Sequence, residues 1–442
     1  GATRLGAKIL VSGGGRCNLT HEVVNASDYA GSSVHAIRRV LLQFDVQRTV
    51  AFFEEMGVAL KREEGGKVFP VGDSARSVLQ ALLRGAFEAG VSLLHPWRVE
   101  RIRREGERFH LLGPAGEVIA RRVVLATGGK SLPRSGSDGA GLGLAQSLGH
   151  GITPRVFPAL VPLTLPAGHF LRGLSGLTVP VTLELRAGGG RKLAAFTDSM
   201  LCTHFGISGP CVLDMSRHYL DAVAQDPGVR LTVNWLPGET RESLDGWLRG
   251  LGGRSPVPAL AKRMPERLAR ALAREAGLDR GATGAGLTRE LRTALIRAVL
   301  ELRLPISGDR GFRHAEVTAG GVPLSEVHLE SMESRVCPGL YLCGEMLDVD
   351  GRIGGYNFQW AWASGHVAGR AVRAAFMGGG AEARKTAGRR RHCQHSLQPG
   401  YSGHRRQCRP DHRPALRPRG TGEKKGVPIA DRDSGYRPAA CR

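Results

Sequence analysis

No stretch of this sequence approaches the roughly 20 consecutive apolar residues that a membrane helix needs, so no such helix is expected. The first residues carry no charged segment followed by an apolar core, and no signal peptide is expected. A soluble cytoplasmic protein is the resulting expectation. Aromatic residues are scarce at 5%. The eight cysteines (Cys17, Cys202, Cys211, Cys337, Cys343, Cys393, Cys408 and Cys441) include no CxxC pair. That scatter suits isolated thiols in a reducing compartment and argues against a disulfide framework. No internal repeat is evident.

What is present points to a globular body. Hydrophobic residues make up 41% of the 442-residue chain, enough for two or three domains with sizeable cores. Gly is abundant at 62 residues, which favours tight turns and close backbone approaches. The formal net charge of +22 resembles a nucleic-acid signal, but it is unevenly spread. Residues 377–442 hold 16 Lys+Arg against 5 Asp+Glu, half of the excess. They also carry Gly378 to Gly380, Arg389 to Arg391 and almost no large apolar residue. Such a segment buries too little surface to offset its ordering entropy, so a disordered basic tail is expected. Its Arg, Pro, Gly and His are what out-of-frame translation of a GC-rich gene yields, and that reading is preferred over a nucleic-acid or membrane contact. The spacing of His392, Cys393, His395, His404, Cys408 and His412 fits no standard zinc module, and no metal centre is expected.

Within the body, Asp73 to Glu88 reads as a helix capped by Asp73 or Ser74, with Val78, Leu82 and Ala86 on one face. Extended runs follow at Val91–Leu94, Arg98–Ile102, Phe109–Leu112 and Val118–Arg121. Val123–Ala126 is a continuous apolar run of the kind buried in a parallel sheet. From Pro154 to Leu236 the pattern is β-rich, with alternation at Val179–Leu185 and Leu231–Trp235. From Ser255 to Leu302 it is helical. Leu260, Met264, Leu268 and Leu272 form one core stripe; Leu291, Leu295 and Val299 form another.

Three motifs can carry chemistry. Ser12-Gly13-Gly14-Gly15-Arg16-Cys17-Asn18 follows the apolar run Ile9-Leu10-Val11. Its glycines let the backbone approach a ligand and offer N–H groups to an anion. Arg16 adds charge, and Asn18 adds a paired donor and acceptor. The plainer reading is a tight turn after a strand. Val123-Val-Leu-Ala-Thr127-Gly128-Gly129 ends a buried strand in two glycines, where doubly wound sheets place ligands. The third motif runs from Gly339 to Gln359. A strand ends in Gly344-Glu345, an acidic loop follows, and Gly354-Gly355 opens a helix expected to run to about Phe376. Tyr356 and Asn357 sit at its start. A helix N-terminus suits a pyrophosphate or an electron-rich flavin edge. Glu345 can accept from a sugar or ribityl hydroxyl. A fourth stretch, Thr203 to Pro210, leads into a helix that Ser208 can cap, with His204 as a candidate acid or base.

Together KILVSGGGRCNLTH, VVLATGGKSLPRSGSDGAGLGLA, THFGISGP, VTAGGV (Val317 to Val322), MESRVCPGLYLCGEMLDVDG and GGYNFQWAWASG resemble the BaiN-like flavoproteins, also called aminoacetone oxidase family FAD-binding enzymes. The likeness covers Ala7 to Phe376 in colinear order. It implies an α/β fold: a Rossmann-like FAD/NAD(P)-binding domain of the two-dinucleotide-binding type with inserted β-barrel-like and helical regions. The implied boundaries are 1–153 with 317–376 for FAD binding, 154–236 with 303–316 for the β-rich insert, and 237–302 for the helical part. By the resemblance Gly13 to Asn18, Thr127 to Gly129, Gly344-Glu345 and Gly354 to Asn357 line the FAD site. Family members open with a strand, a GxGxxG turn, a helix and an acidic residue. This chain begins after those elements, so the resemblance implies an absent first βαβ unit and a truncated fragment. GAGLGL at Gly139 to Leu144 lies in the wrong context to replace it. His21 stands where the family more often has Asn.

The reading is a flavin-dependent oxidoreductase that passes a hydride between a small organic substrate and FAD, with NAD(P)H or dioxygen as second redox partner. No membrane partner is expected, and nucleic acid only through the basic tail. The rivals are a basic RNA- or DNA-binding protein and a flavoprotein that modifies tRNA. A chain ending at Phe376 is therefore expected to show no tight RNA binding. Strongly salt-dependent RNA binding by that chain, measured by filter retention across a salt series, would support either rival instead.

Overall fold

The computed structural model describes the backbone of residues 4–392 and the side chains of residues 4–377. Contacts divide the chain into residues 1–382 and 383–442, and the account that follows concerns the first unit. The expected tail from Cys393 onward, with its remaining Cys and His, lies outside the described residues.

The largest sheet has seven antiparallel strands. In spatial order they are Leu302–Arg303, Arg230–Asn234, Thr178–Arg186, Lys192–Thr203, Gly206–Ser208, Leu163–Thr164 and Gly308–Asp309. Strand Thr178–Arg186 shows why this region folds as sheet. Val179, Val181, Leu183 and Leu185 alternate inward and are buried, while their neighbours stay more open. Helix Pro210–Gln225 covers that face with Cys211, Val212 and Met215. The helices Arg241–Arg249, Pro256–Leu260, Glu266–Glu275 and Arg289–Leu300 pack onto the same core. Thr240 and Ser243 form a reciprocal capping box on the first of these, and Thr288 caps the last. The stripe Leu260, Met264, Leu268 and Leu272 is buried, as its spacing predicts.

A second core joins residues from Ala26 to Ala368. At its centre strand Leu340–Leu342 pairs in parallel with Val123–Leu125. Val123 and Leu125 are buried, but Val124 is 40% exposed, because Val123–Leu125 is the outer strand of its four-stranded sheet. A three-stranded meander, Arg101–Glu105, Arg108–Gly113 and Gly116–Ala120, contains the expected runs at Phe109–Leu112 and, but for Arg121, Val118–Arg121; the run expected at Arg98–Ile102 lies three residues later.

Five local expectations are corrected. Val91–Leu94 forms no strand; Val91, Leu93 and Leu94 are all exposed and lack a ladder partner. The run Ile9-Leu10-Val11 belongs to the short helix Ala7–Val11, not to a strand, because a tight left-handed turn at Gly6 starts it. Helix Ala75–Glu88 makes no side-chain cap bond at Ser74, and Asp73 instead pairs with Lys61 and Arg16. Ser208 does not cap helix Pro210–Gln225; it ends strand Gly206–Ser208, and Gly209 at φ 91 makes the turn. Helix Tyr356–His392 runs past Phe376. Its extension, which takes in the first residues of the expected tail, is rich in Ala and Arg and has no proline, so its four glycines do not stop it.

Leu183 is fully buried in the seven-stranded sheet. Leu183→Ala is expected to lower unfolding free energy by about 2–5 kcal/mol in a urea titration, since its cavity lies in a sheet that relaxes little.

Candidate active site

The parallel pair places the second and third motifs side by side. Strand Val123–Leu125 delivers Thr127, Gly128 and Gly129; strand Leu340–Leu342 delivers Gly344 and Glu345. A Cβ at Gly129 would lie 2.4 Å from Thr318 Oγ1 and 2.9 Å from Glu345 Oε1, so only glycine fits there. A Cβ at Gly141 would meet Thr127 Oγ1 at 1.7 Å, which lets the Ala140–Ser147 helix press on the same loop.

Thr318 joins the parts. Its Oγ1 accepts from the Lys130 N–H at 2.8 Å and the Ser131 N–H at 3.1 Å. Its own N–H donates to Glu345 Oε1 at 3.0 Å. The other Glu345 oxygen is ion-paired with Lys8 on the Ala7–Val11 helix, which brings in the first motif. Glu345, expected to accept from a ligand hydroxyl, is thus engaged by Lys8 and Thr318. Gly344 sits in a left-handed turn (φ 75) whose N–H donates to Ser364 Oγ at 3.0 Å, while Trp360 Nε1 donates to its carbonyl at 3.1 Å.

The first motif forms a 3-10 turn, with Gly13 and Gly14 in left-handed conformations. A Cβ at Gly14 would point into open space. Arg16 turns to Glu63 and Asp73 and lies over the Phe69 ring at 4.0 Å. Cys17 is buried, and burial pushes its thiol up to about 11, so it stays neutral. The chain after this motif packs on the third. A Cβ at Gly355 would lie 2.5 Å from the Thr20 backbone. The His21 and Tyr356 rings stack at 4.9 Å, and Thr20 Oγ1 donates to Gln359 at 2.7 Å. Near Gly354 lie His21 and Lys67.

The acidic loop is tightly held. Asn357 spans the Gly351 N–H at 2.8 Å and its carbonyl at 2.9 Å. Asp214, on helix Pro210–Gln225, accepts from the Ile353 N–H at 2.7 Å and from Arg352 at 3.1 Å. Arg217 of the same helix donates to buried Asp350 at 3.1 Å. His204 stands apart. It lies exposed between strands Lys192–Thr203 and Gly206–Ser208, and no contact recorded among the described residues joins it to the three motifs.

Four buried side-chain atoms among the described residues lack a hydrogen-bond partner: Asn18 Oδ1, Ser137 Oγ, Trp235 Nε1 and Asp350 Oδ1. Three of these lie in or beside the motifs, and Ser137 Oγ is 3.0 Å from where a Gly128 Cβ would stand. Unpaired polar atoms are costly in a dry core. Beside open, glycine-lined backbone they fit a polar ligand such as a dinucleotide. Lys8, Thr318, Ser137 and Lys67 were not singled out by the sequence reading. Lys8, Ser137 and Thr318 lay inside the quoted stretches KILVSGGGRCNLTH, VVLATGGKSLPRSGSDGAGLGLA and VTAGGV; Lys67 lay in none of them.

The HI0933-like protein Rossmann domain model matches residues 1–371. The chain is 36% identical over 372 residues to the 3-dehydro-bile acid delta(4,6)-reductase of Clostridium scindens, spanning 83% of this chain and 90% of that protein. It is 33% identical over 362 residues to the ribosomal RNA dihydrouridine synthase of Escherichia coli, spanning 81% and 87%. The protein of the same description from Haemophilus influenzae is 30% identical over 370 residues, spanning 82% and 89%. The α/β fold and its converging motifs are those of a flavin-dependent oxidoreductase with a Rossmann-type FAD-binding domain. The chain belongs to the HI0933-like protein Rossmann domain family, and the resemblance read from its motifs holds. Among the described residues, no helix is long and apolar enough to cross a membrane.

Burial pushes the Asp350 carboxyl from 3.8 up to about 6, with Arg217 opposing the rise. The folded chain then holds a proton that the unfolded chain has released. Rising pH through this window costs stability, by at most ~3 kcal/mol. Urea denaturation at pH 4 and pH 7 is expected to show a smaller loss on raising the pH for Asp350→Asn than for the parent chain.

Proposed function

We propose that the chain is an FAD-dependent reductase that saturates a carbon–carbon double bond conjugated with a carbonyl. The observation that carries this reading is what the relatives' names share. A delta(4,6)-reductase and a dihydrouridine synthase both describe the addition of two hydrogens across a double bond. In a 3-dehydro-bile acid and in uracil that bond is conjugated with a carbonyl, which accepts charge as hydride adds to the far carbon.

Gly13 to Asn18, Thr127 to Gly129, Gly344-Glu345 and Gly354 to Asn357 would hold the cofactor. The unpartnered Asn18 Oδ1 and Ser137 Oγ, with the open backbone at Gly14, support that assignment. Bound flavin supplies the hydride. The chain's own groups orient both partners and manage protons. The start of helix Tyr356–His392 offers unpaired N–H groups to negative charge, and Lys67, with no ion pair among the described residues, adds a cation beside Gly354. Saturating a double bond consumes two electrons, so the second redox partner must be a reductant. NAD(P)H meets that need; dioxygen does not. The boundaries set out above, an FAD-binding part with a β-rich and a helical insert, belong to the same proposal.

A uridine in ribosomal RNA is the second reading, favoured by two relatives' names and the net charge of +22. The purified chain, supplied with FAD and NADPH, is expected to reduce a 4-ene-3-oxo steroid acid, followed by loss of its conjugated absorbance. Reduction of uridine in ribosomal RNA with no reaction of the steroid would select the second reading. Reduction of neither, by a chain that holds flavin, would sink the proposal.

A further inference from the structure

Most cations around the candidate site are matched by carboxylates. Lys8 meets Glu345, Arg16 meets Glu63, Arg217 meets Asp350 and Arg352 meets Asp214. Among the described residues Lys67 has no ion pair, and neither do Lys130 and Arg310. The last two are nevertheless fixed in place. Lys130 directly follows Gly129, at the end of the second motif, and its N–H donates to Thr318 Oγ1 at 2.8 Å. Its stem lies along Gly139, where a Cβ would come within 2.6 Å of Lys130 Cγ. Its ammonium stands 4.9 Å from the centre of the Phe312 ring. This lysine is held at backbone, stem and head.

Arg310 follows strand Gly308–Asp309 of the seven-stranded sheet. Its guanidinium lies over the Phe205 ring at 4.2 Å and donates to His314 Nε2 at 2.9 Å. Phe205 is at the tip between strands Lys192–Thr203 and Gly206–Ser208. The same turn reaches the second motif, because the Phe312 carbonyl accepts from the Leu132 N–H at 2.9 Å. Arg310 and Phe312 are two residues apart, no more than about 7 Å along the backbone, so both cations belong to one neighbourhood. Lys130, Arg310, Phe205 and Phe312 are all half-buried. An aromatic face attracts a cation and sheds water from one side of it, but carries no net charge. The charge is therefore oriented and left uncancelled. Nearby carboxylates do not cancel it. Asp309 is turned back on the Gly311 N–H at 2.6 Å, Asp138 pairs with Arg98, and Glu316 pairs with neither cation. Exposed Arg134 and Arg313 add to the positive charge.

We propose that Lys130 and Arg310 bind a carboxylate carried by the substrate, an inference that rests on the double-bond reading above. The two cations meet the carboxylate, and the Phe205 and Phe312 rings beside them meet the hydrocarbon to which it is attached. Two held cations at one turn suit a single anionic group; a nucleic-acid backbone is followed by a longer track of them. Because Lys130 continues directly from Thr127 to Gly129, an acid held there lies beside the loop that would line the cofactor. The substrate class narrows accordingly to organic acids that carry a conjugated carbonyl on an apolar body. The neutral ester of such an acid keeps the reacting bond and loses the handle.

The test uses the full chain loaded with FAD and kept oxidised, so that ligands bind without reacting. A 4-ene-3-oxo steroid acid and its methyl ester are titrated calorimetrically against the parent, Lys130→Met, Arg310→Met and Arg310→Lys. Visible absorbance and thermal unfolding check that each variant keeps its flavin and its fold. The parent is expected to bind the acid at least about tenfold more tightly than the ester, the worth of one hydrogen bond to a charged group. Added salt is expected to shrink that ratio. Each Met variant is expected to bring the ratio towards one, and Arg310→Lys to keep part of it. Arg274→Met, which removes an exposed charge from helix Glu266–Glu275, is expected to leave the ratio as it is. A parent ratio within about threefold of one overturns the carboxylate site, and so do Met variants whose ratio matches the parent's. Binding of neither compound overturns it as well, whether or not the chain reduces ribosomal RNA. The double-bond reading is judged separately, with NADPH added. A parent that prefers the acid but reduces no conjugated double bond overturns that reading and leaves the acid-binding site standing. A parent that reduces the steroid but binds acid and ester alike overturns the site alone.

Discussion

The parallel pairing of Val123–Leu125 with Leu340–Leu342 is the constraint on which the rest depends. Its strands lie more than two hundred residues apart in the chain. Pairing them puts two glycine-ended strand exits next to each other, where an open α/β sheet presents ligands. Everything between is then free to fold as an insertion with its own core, as the seven-stranded sheet and its helices do. Thr318 and Glu345 fasten the junction with backbone hydrogen bonds, and Lys8 draws the first glycine turn onto it.

The insertion also takes part in the site. Helix Pro210–Gln225 sends Asp214 and Arg217 to the acidic loop ahead of Gly354. A buried carboxylate repays its desolvation only when well partnered. Asp214 has two partners, the Ile353 N–H and Arg352. Asp350 has Arg217 at one oxygen and no hydrogen bond at the other; burial pushes both carboxyls up, that of Asp350 to about 6. The loop is held from outside by charge and from inside by Asn357, which leaves Gly354 and Gly355 at the turn against His21 and Thr20.

Legibility in the sequence followed burial. Where one face packs against a core, periodicity spoke clearly: Val179 to Leu185 alternates, and Leu260 to Leu272 recurs every four residues. Where tertiary context was weak or overriding, it misled. Val91–Leu94 has strand composition but no neighbouring strand among the described residues, so it stays exposed. Ile9 to Val11 is too short for its period to separate helix from strand. Ser208 had the chemistry of a cap, but sheet pairing claimed it. The glycine motifs were visible because a backbone that lacks Cβ leaves its mark in composition. Lys67 left none, since an isolated charge in sequence looks the same on a solvated face as in a cleft.

By itself the sequence determined the class of the protein: three glycine-rich junctions in order, each after an apolar run, and the alternation of helical and extended regions between them. These are local properties, set by which residues tolerate positive φ and which must be buried. Only the tertiary structure decided which charges meet. Glu345 is held by Lys8 from far along the chain, and His204 is left outside. Electrostatic neighbours are a matter of distance in space, and no spacing along the chain encodes that distance until the sheet has closed.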